Sequence, residues 1–332
     1  MIKERHIRCI LFDLGSTLWT AVDKATWLSL EETSNLIAVE ALLRFTNDKE
    51  FSSMESHTLG TLLRKTVEKQ IRFGVRQNPG YEPDFVLATM EALQQLGISK
   101  ANRTLGEDIY EALRIRIPNS RVLFDDTLST LAELKQRGYI LGVVTNRHYG
   151  GLPFYEDLQT MGLLDYFEYE HMAISADLGI RKPNPNIFMH ALNKLKIRPE
   201  EAAMVGDSLK ADIQGAKMLN MLAIWKPKAA LREEAEMAWM SSNKTSQEHQ
   251  MRSNVAQMSG EMSDVELQEA SEDESTASFT EDYLLEYVHN RDDLKLQQSR
   301  IDMKPDFIIE NLRDLLTIFK SEEITKKGSK EQ

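Results

Sequence analysis

The sequence contains very little cysteine and no long run of apolar residues. Its single cysteine, Cys9, lies inside an apolar segment, which excludes a disulfide framework and a metal site built from thiolates. We predict a buried structural thiol at this position. No apolar run approaches the roughly 18 residues that a membrane-spanning helix needs, and no such stretch follows the charged first residues. These absences predict a soluble cytoplasmic protein that does not contact a membrane.

Positive charge is also scarce. The chain has 40 Lys and Arg residues against 52 Asp and Glu residues, a net charge of −12, which argues against nucleic-acid binding because phosphates require a basic surface. Residues 228–304 carry eight Lys and Arg against seventeen Asp and Glu, so nine of the twelve excess negative charges lie there. We predict that 228–303 is a largely disordered acidic insertion in which only 229–240 and 281–288 could be helical. The functional alternative is that this insertion binds a protein partner.

The remaining apolar residues follow two different patterns. Residues 22–119 place them at helical spacing, which predicts about four helices separated by breaks near 57–60, 78–83 and 97–106. Residues 1–21, 120–227 and 304–320 instead contain short apolar strands, alternating with helices where the segment is long enough. This alternation predicts an α/β fold with a parallel sheet covered on both faces. Residues 321–332 are expected to form a flexible polar tail.

Three of the predicted strands end at polar residues. Asp13 follows the first strand, Thr145 ends a second, and Asp207 comes directly after a third. Considered alone, Asp13 could equally be a helix cap. Because the carboxyl ends of parallel strands meet at one edge of a sheet, three such residues predict one shared site.

With these residues in place, the chain resembles the haloacid-dehalogenase-like hydrolase superfamily. Its four motif regions occur in the family's order: Phe-Asp-Leu-Gly-Ser-Thr-Leu at 12–18, Val-Val-Thr-Asn at 143–146, Gly-Ile-Arg-Lys-Pro-Asn-Pro at 179–185, and Val-Gly-Asp-Ser at 205–208 with Asp212. The resemblance implies a doubly wound, parallel-sheet, Rossmann-like core. It also implies that 22–119 is a helical cap domain inserted after the first motif.

The resemblance also implies a role for each motif residue. Asp13 would be the nucleophile that forms an aspartyl-phosphate, while Thr145 and Lys182 position the phosphoryl group and neutralise its charge. Mg²⁺ would be held by Asp13, Asp207 and the Gly15 carbonyl oxygen. The remaining motif residues would bind phosphate or support the site: Ser16, Thr17 and Asn146 for phosphate, Ser208 and Asp212 for support.

Gly15 departs from the family's pattern. In the family's phosphatases this position holds a second aspartate, which protonates the leaving oxygen and activates water. Such general acid and base catalysis contributes roughly 10²- to 10⁴-fold in rate, so we expect slow hydrolysis of alkyl phosphates. The first interpretation is a Mg²⁺-dependent phosphatase of small phosphorylated metabolites, acting on leaving groups such as acyl or aryl oxygens that need no protonation.

Two other interpretations remain open. A carbon–halogen or carbon–phosphorus bond hydrolase would also need no acid at Gly15, and the second of these would use a cap lysine such as Lys65 or Lys69. The other interpretation is a non-catalytic binding or regulatory protein on the same scaffold.

Four aromatic residues are candidates for lining a substrate pocket: Trp19, Trp27, Phe73 and Tyr81. An aromatic residue in a helical bundle is, however, more often part of the core.

Overall fold

The computed structural model describes residues 5–46, 51, 53–242, 279–290 and 304–320. By their contacts these residues divide into two compact units, one within Met1–Lys226 and Ile301–Gln332 and the other within Pro227–Arg300. The second unit contains helices at 229–242 and at Glu281–Asn290, close to the two stretches where the sequence predicts them. The rest of the predicted disorder, at 243–278 and 291–303, lies outside the described residues, as does the predicted tail at 321–332.

None of the described helices combines the length and the apolar character needed to cross a membrane.

A six-stranded parallel sheet organises the first unit. Its strands are β1 (Cys9–Phe12), β4 (Ile140–Thr145), β5 (Ala173–Ile174), β6 (Ala202–Gly206), β7 (Leu222–Trp225) and β8 (Phe307–Ile308). They lie in the order β5-β4-β1-β6-β7-β8. After β1, the chain adds β4 and then β5 on one side of it. It then crosses to the other side of β1 and adds β6, β7 and β8. This confirms the predicted doubly wound, Rossmann-like α/β fold.

The register of the central strands explains how distant residues meet. Phe12 pairs with Val143 of β4 on one side and with Val205 of β6 on the other. Asp13 therefore stands level with Val144 and Gly206, while Thr145 and Asp207 each lie one residue beyond that level. All four residues of β1 are buried, as expected for a central strand covered on both faces. The buried Cys9 thiol confirms the structural role predicted for it.

Helices and short turns cover this sheet. The longer helices of this part are Thr127–Gln136, Gly151–Thr160 and Pro185–Leu195, and shorter helical turns lie at Ile117–Ser120, Leu163–Asp165, Tyr169–His171, Ser175–Leu178, Pro199–Glu201, Leu209–Ile213, Gln214–Met218, Leu312–Asp314 and Leu315–Ile318. Their apolar side chains, among them Phe154, Leu158 and Leu315, pack with the strands into one hydrophobic cluster.

Four long helices occupy the segment that follows the first strand. They are α1 (Lys24–Phe45), α2 (Ser56–Gln77), α3 (Phe85–Gln95) and α4 (Arg103–Ala112). The buried side chains of a second hydrophobic cluster all fall between Ala38 and Leu113. The helices thus bury their apolar faces mainly against one another. The antiparallel pair β2 (Trp19–Ala21) and β3 (Arg121–Leu123) joins the two ends of this helical segment.

Two of the predicted helix breaks differ from the structure. The break at 57–60 is wrong, and the break at 97–106 extends too far, because α4 begins at Arg103. Residues 57–60 belong to α2, whose first turn is capped by the Glu55 carboxylate. Gly60 lies inside this helix rather than at its end. A Cβ atom there would lie 2.9 Å from the Cβ atom of Asn35, so glycine allows α1 and α2 to approach closely. Gly106 lies inside α4 for the same reason, because a Cβ atom there would lie 2.8 Å from Met90.

Candidate active site

Asp13 occupies the edge of the sheet where β1 ends. Its backbone N–H donates to the Val205 carbonyl oxygen at 2.9 Å, which continues the pairing with β6 and fixes the direction of the side chain. The residue is 7% exposed. A buried carboxylate at this position needs a compensating charge.

Lys182 supplies that charge. Its Nζ atom lies 2.6 Å from Asp13 Oδ1, 2.6 Å from Asp212 Oδ1 and 2.8 Å from the Val144 carbonyl oxygen. The Thr145 hydroxyl lies 3.2 Å from the same Asp13 oxygen. Among the described residues no hydrogen-bond donor contacts the other oxygen, Asp13 Oδ2. The carboxylate is thus held through one oxygen while the other is available for chemistry.

Asp212 is placed by the turn that follows β6. The backbone widens into one π-helical turn at Leu209–Ile213, and the Ser208 N–H donates to Asp212 Oδ2 at 2.9 Å. The Ser208 hydroxyl in turn accepts from the Ala211 N–H at 3.0 Å. Gly206 makes room for this arrangement, because a Cβ atom there would lie 2.3 Å from Asp212 Cγ. Ser208 therefore positions Asp212, and Asp212 in turn holds Lys182.

The charges of this group depend on one another. Burial opposes the charge of Lys182, but Asp13 and Asp212 outweigh that effect and raise the pKa of Lys182 above its ordinary value. Burial raises the pKa of Asp212 to about 7, with the Lys182 charge lowering it and the Asp13 and Asp207 charges raising it. The ammonium group therefore stays protonated beside Asp13 at neutral pH.

An acidic cluster suited to a metal ion surrounds the same edge. Asp13, Asp207 and Asp212 can each offer an oxygen, and these atoms lie within 4.8 Å of one another. The Trp225 indole N–H donates to the Asp207 carbonyl oxygen at 2.8 Å and anchors that backbone. Carboxylate oxygens gathered this closely suit a hard divalent cation, so the residues present fit a metal ion.

Gly15 leaves open space above Asp13. The nearest atom to a Cβ built at this position is Asp13 Oδ2 at 4.0 Å, and the backbone there does not adopt a positive φ. Neither sterics nor backbone conformation therefore requires glycine. The next residue does adopt a left-handed conformation, since Ser16 has a φ of 59°. Its N–H donates to the Trp19 carbonyl oxygen at 2.8 Å, which closes the loop.

The other predicted phosphate-binding residues lie around this loop and the next. Thr17 is fully buried and its hydroxyl has no hydrogen-bond partner. The Asn146 side chain donates to the Lys182 carbonyl oxygen at 3.2 Å and accepts from the Lys182 N–H at 2.8 Å. Asn146 thus positions the Lys182 backbone, a role that its motif alone does not reveal.

A cavity of about 620 Å³ lies beside this centre, and the sequence did not predict which residues line it. Trp19, Trp27, Phe73 and Tyr81 are absent from its lining, as are Lys65 and Lys69. Trp19 is instead part of the core, and Phe73 and Tyr81 are exposed. Aromatic residues do line it, but they are Tyr110 and Tyr149. The most frequent residue of the lining is arginine.

Comparisons with known proteins agree with this geometry. A family model described as haloacid dehalogenase-like hydrolase matches residues 7–220. A glyceraldehyde 3-phosphate phosphatase of Pyrococcus furiosus is 31% identical over 226 residues, which are 67% of this chain and 81% of that protein.

Two further relatives match over shorter segments. A phosphoserine phosphatase of Thermus thermophilus is 35% identical over 149 residues, which are 44% of this chain and 55% of that protein. A phosphoglycolate phosphatase of Nitrosococcus oceani is 41% identical over 91 residues, which are 27% of this chain and 38% of that protein. The chain thus spans most of the archaeal relative but only about half or less of these two. The family match alone covers more than half of the chain, and the protein belongs to the haloacid dehalogenase-like hydrolases.

Proposed function

We propose that this protein is a Mg²⁺-dependent phosphatase in which Asp13 is the nucleophile. The observation that carries the proposal is the asymmetric environment of the Asp13 carboxylate. Lys182 and Thr145 both contact Oδ1, while Oδ2 faces the open space beside Gly15. An anchored carboxylate with one uncommitted oxygen is the arrangement that nucleophilic catalysis requires.

The reaction would proceed in two displacements. Asp13 Oδ2 attacks phosphorus, the bond from phosphorus to the leaving oxygen breaks, and an aspartyl-phosphate forms on Asp13. Water then attacks the same phosphorus, releases inorganic phosphate and restores the carboxylate. The Lys182 ammonium and the Thr145 hydroxyl offset the charge that develops on the phosphoryl oxygens.

The metal ion would be Mg²⁺ held by Asp13, Asp207 and the Gly15 carbonyl oxygen. Asp212 is less suited as a direct ligand, because one of its oxygens pairs with Lys182 and the other accepts from Ser208. Mg²⁺ binds through one or two carboxylates and retains water, which agrees with so small a donor set. When bound, the ion would neutralise charge on the phosphoryl oxygens.

The names of the relatives support a small phosphorylated metabolite as substrate, since three of them are phosphatases of three-carbon or two-carbon phosphate esters. The open space at Gly15 supports a preference for leaving groups that depart without a proton. Aryl and acyl phosphates have such leaving groups, whereas an alkyl alkoxide does not.

The alternative carbon–phosphorus hydrolase has little support. It would use a lysine from the helical segment, but Lys65 and Lys69 are both exposed and neither lines the cavity beside the active site.

Steady-state hydrolysis of an aryl phosphate by the full-length protein tests this proposal. We expect phosphate release that requires Mg²⁺, stops on addition of EDTA, and falls at least 10³-fold in Asp13→Asn, since that change removes the nucleophile while preserving shape. Asp108→Asn is the matched control, because Asp108 is exposed on α4 and does not line the cavity beside the active site. Equal turnover by Asp13→Asn and the wild-type protein would overturn the proposal.

A further inference from the structure

The lining of the cavity includes two residues that are sequence neighbours of active-site residues. These two, Asn146 and Arg181, are the immediate neighbours of Thr145 and Lys182. Helix α2 of the helical segment forms the opposite wall. The volume of about 620 Å³ lies within the range of roughly 300 to 1,000 Å³ that small-molecule sites occupy. A substrate whose phosphate reaches Asp13 could therefore extend its remaining atoms into this cavity.

The charge of the cavity is opposite to that of the whole chain. Seven arginines and one glutamate line it, whereas the chain as a whole carries a net charge of −12. Arginines gathered in one cavity of an acidic protein create a local positive potential that attracts anions.

Helix α2 contributes its arginines at regular spacing. Arg64, Glu68, Arg72 and Arg76 are four residues apart and therefore share one side of the helix. Arg64 donates to Asn35 Oδ1 at 2.6 Å and to the Leu113 carbonyl oxygen at 3.0 Å, so it is committed to the protein. Arg72 pairs with Glu68 at 3.3 Å. Arg76 has no carboxylate within 4.0 Å among the described residues.

The opposite wall contributes Arg147, which is half-buried, whereas Arg76 is exposed. Arg147 stacks near aromatic rings, 5.9 Å from the centre of Trp19 and 5.8 Å from that of Tyr149. Its Nε atom is buried and has no hydrogen-bond partner. No carboxylate of the described part of the chain lies within 4.0 Å of this side chain. A half-buried guanidinium without an anion is unfavourable unless a ligand supplies one.

The remaining arginines differ in how far their charge is offset. Arg114 pairs with Glu111, and Arg181 pairs with Glu82 at 3.0 Å. Arg121 lies 4.9 Å from the ring centre of Trp27, and none of the described carboxylates comes within 4.0 Å of it. Within the described part of the chain, Arg76, Arg121 and Arg147 are therefore the arginines of the cavity that have no carboxylate within 4.0 Å.

We propose that this cavity binds a second anionic group of the substrate, a phosphoryl or a carboxylate group, while the first phosphate reacts at Asp13. This inference rests on the proposed phosphatase function and specifies its substrate class. The planar guanidinium fork binds both phosphate and carboxylate through paired hydrogen bonds, which a lysine ammonium cannot match.

Turnover of matched aryl phosphates tests this specificity in the full-length protein. Phenyl phosphate is compared with derivatives that carry a carboxyl or a second phosphoryl group on the ring. We expect a kcat/KM at least tenfold higher for a derivative with the second anion. Arg76→Gln and Arg147→Gln should each reduce that advantage by roughly tenfold, the usual effect of losing a hydrogen bond to a charged group. Arg198→Gln is the control, because Arg198 is exposed and lies outside the cavity.

A binding measurement separates this inference from the proposed function. Titration of inorganic pyrophosphate into the Asp13→Asn protein reports anion binding without requiring turnover. We expect binding that weakens at least tenfold when Arg76→Gln or Arg147→Gln is added, and that is unaffected by Arg198→Gln. A loss of less than threefold in both arginine variants overturns the anion site, even if aryl phosphates are hydrolysed through Asp13. Arginine-dependent binding in a protein that hydrolyses no phosphate would support the anion site and overturn the phosphatase.

Discussion

Replacing Lys182 with methionine should destabilise the protein strongly. The ammonium group is buried between Asp13 and Asp212, 2.6 Å from an oxygen of each, and it also donates to the Val144 carbonyl oxygen. Methionine fills a similar volume but carries no charge and donates no hydrogen bond. The Lys182→Met protein would therefore keep two buried carboxylates that have lost their counter-ion.

The expected size of the effect follows from that geometry. Removing one partner of a buried ion pair costs about 3 to 5 kcal/mol. For a cooperative unit of this size each kcal/mol lowers the melting temperature by about 2 to 4 °C. We therefore expect the melting temperature of Lys182→Met to fall by about 6 to 20 °C. The double variant Lys182→Met/Asp212→Asn should recover part of this loss, because only one carboxylate then lacks compensation.

A second ion pair of the same length offers a matched control. Lys217 Nζ lies 2.6 Å from Asp306 Oδ1, but both side chains are more than a fifth exposed. Exposed and half-exposed ion pairs contribute only about 0 to 1 kcal/mol, so Lys217→Met should melt within a few degrees of the wild-type protein. The measurement is differential scanning calorimetry in EDTA, which prevents bound metal from altering the comparison. Equal melting temperatures for Lys182→Met and Lys217→Met would refute the reasoning.

Three further predictions concern glycine and cysteine positions. Gly206→Ala should lower aryl phosphate turnover at least tenfold and reduce stability by about 1 to 3 kcal/mol in urea titration, because the new methyl group would displace Asp212 and with it Lys182; wild-type turnover would contradict this. Gly15→Asp should raise kcat/KM for alkyl phosphates by roughly 10²- to 10⁴-fold by supplying an acid in the open space, with a smaller change for aryl phosphates; the absence of any alkyl gain would argue against it. Burial raises the pKa of Cys9 to about 12, so at pH 8 the thiol should remain unmodified by Ellman's reagent in the native protein and react only after unfolding; rapid native labelling would contradict the buried position.

The residues at the strand ends could be predicted from the sequence because the chemistry and the fold agree there. Asp13, Thr145 and Asp207 follow buried apolar runs, and a parallel sheet brings such positions to one edge whatever the surrounding packing. Their convergence follows from the register of β1 with β4 and β6. Local pattern and global topology therefore lead to the same site.

The helix boundaries and the cavity could not be predicted in the same way. Gly60 and Gly106 resemble helix breaks in the sequence, but each lies where two helices approach closely, and the partner helix is not visible locally. The spacing of Arg64, Arg72 and Arg76 is visible as a four-residue period. Which side of α2 faces a cavity, however, depends on tertiary packing against the loop that contains Arg147. The sequence offers four aromatic residues only as candidates for the pocket, whereas arginine is the most frequent residue of the cavity lining.

The role of Asp13 as the nucleophile is tested most directly by trapping the intermediate. The full-length protein with Mg²⁺ is mixed rapidly with an aryl phosphate that carries a radiolabelled phosphoryl group, quenched in acid, and digested to locate the label. We expect a transient label on Asp13 that hydroxylamine removes and that is absent from Asp13→Asn. A label on any other residue, or undiminished phosphate release by Asp13→Asn, would contradict this role.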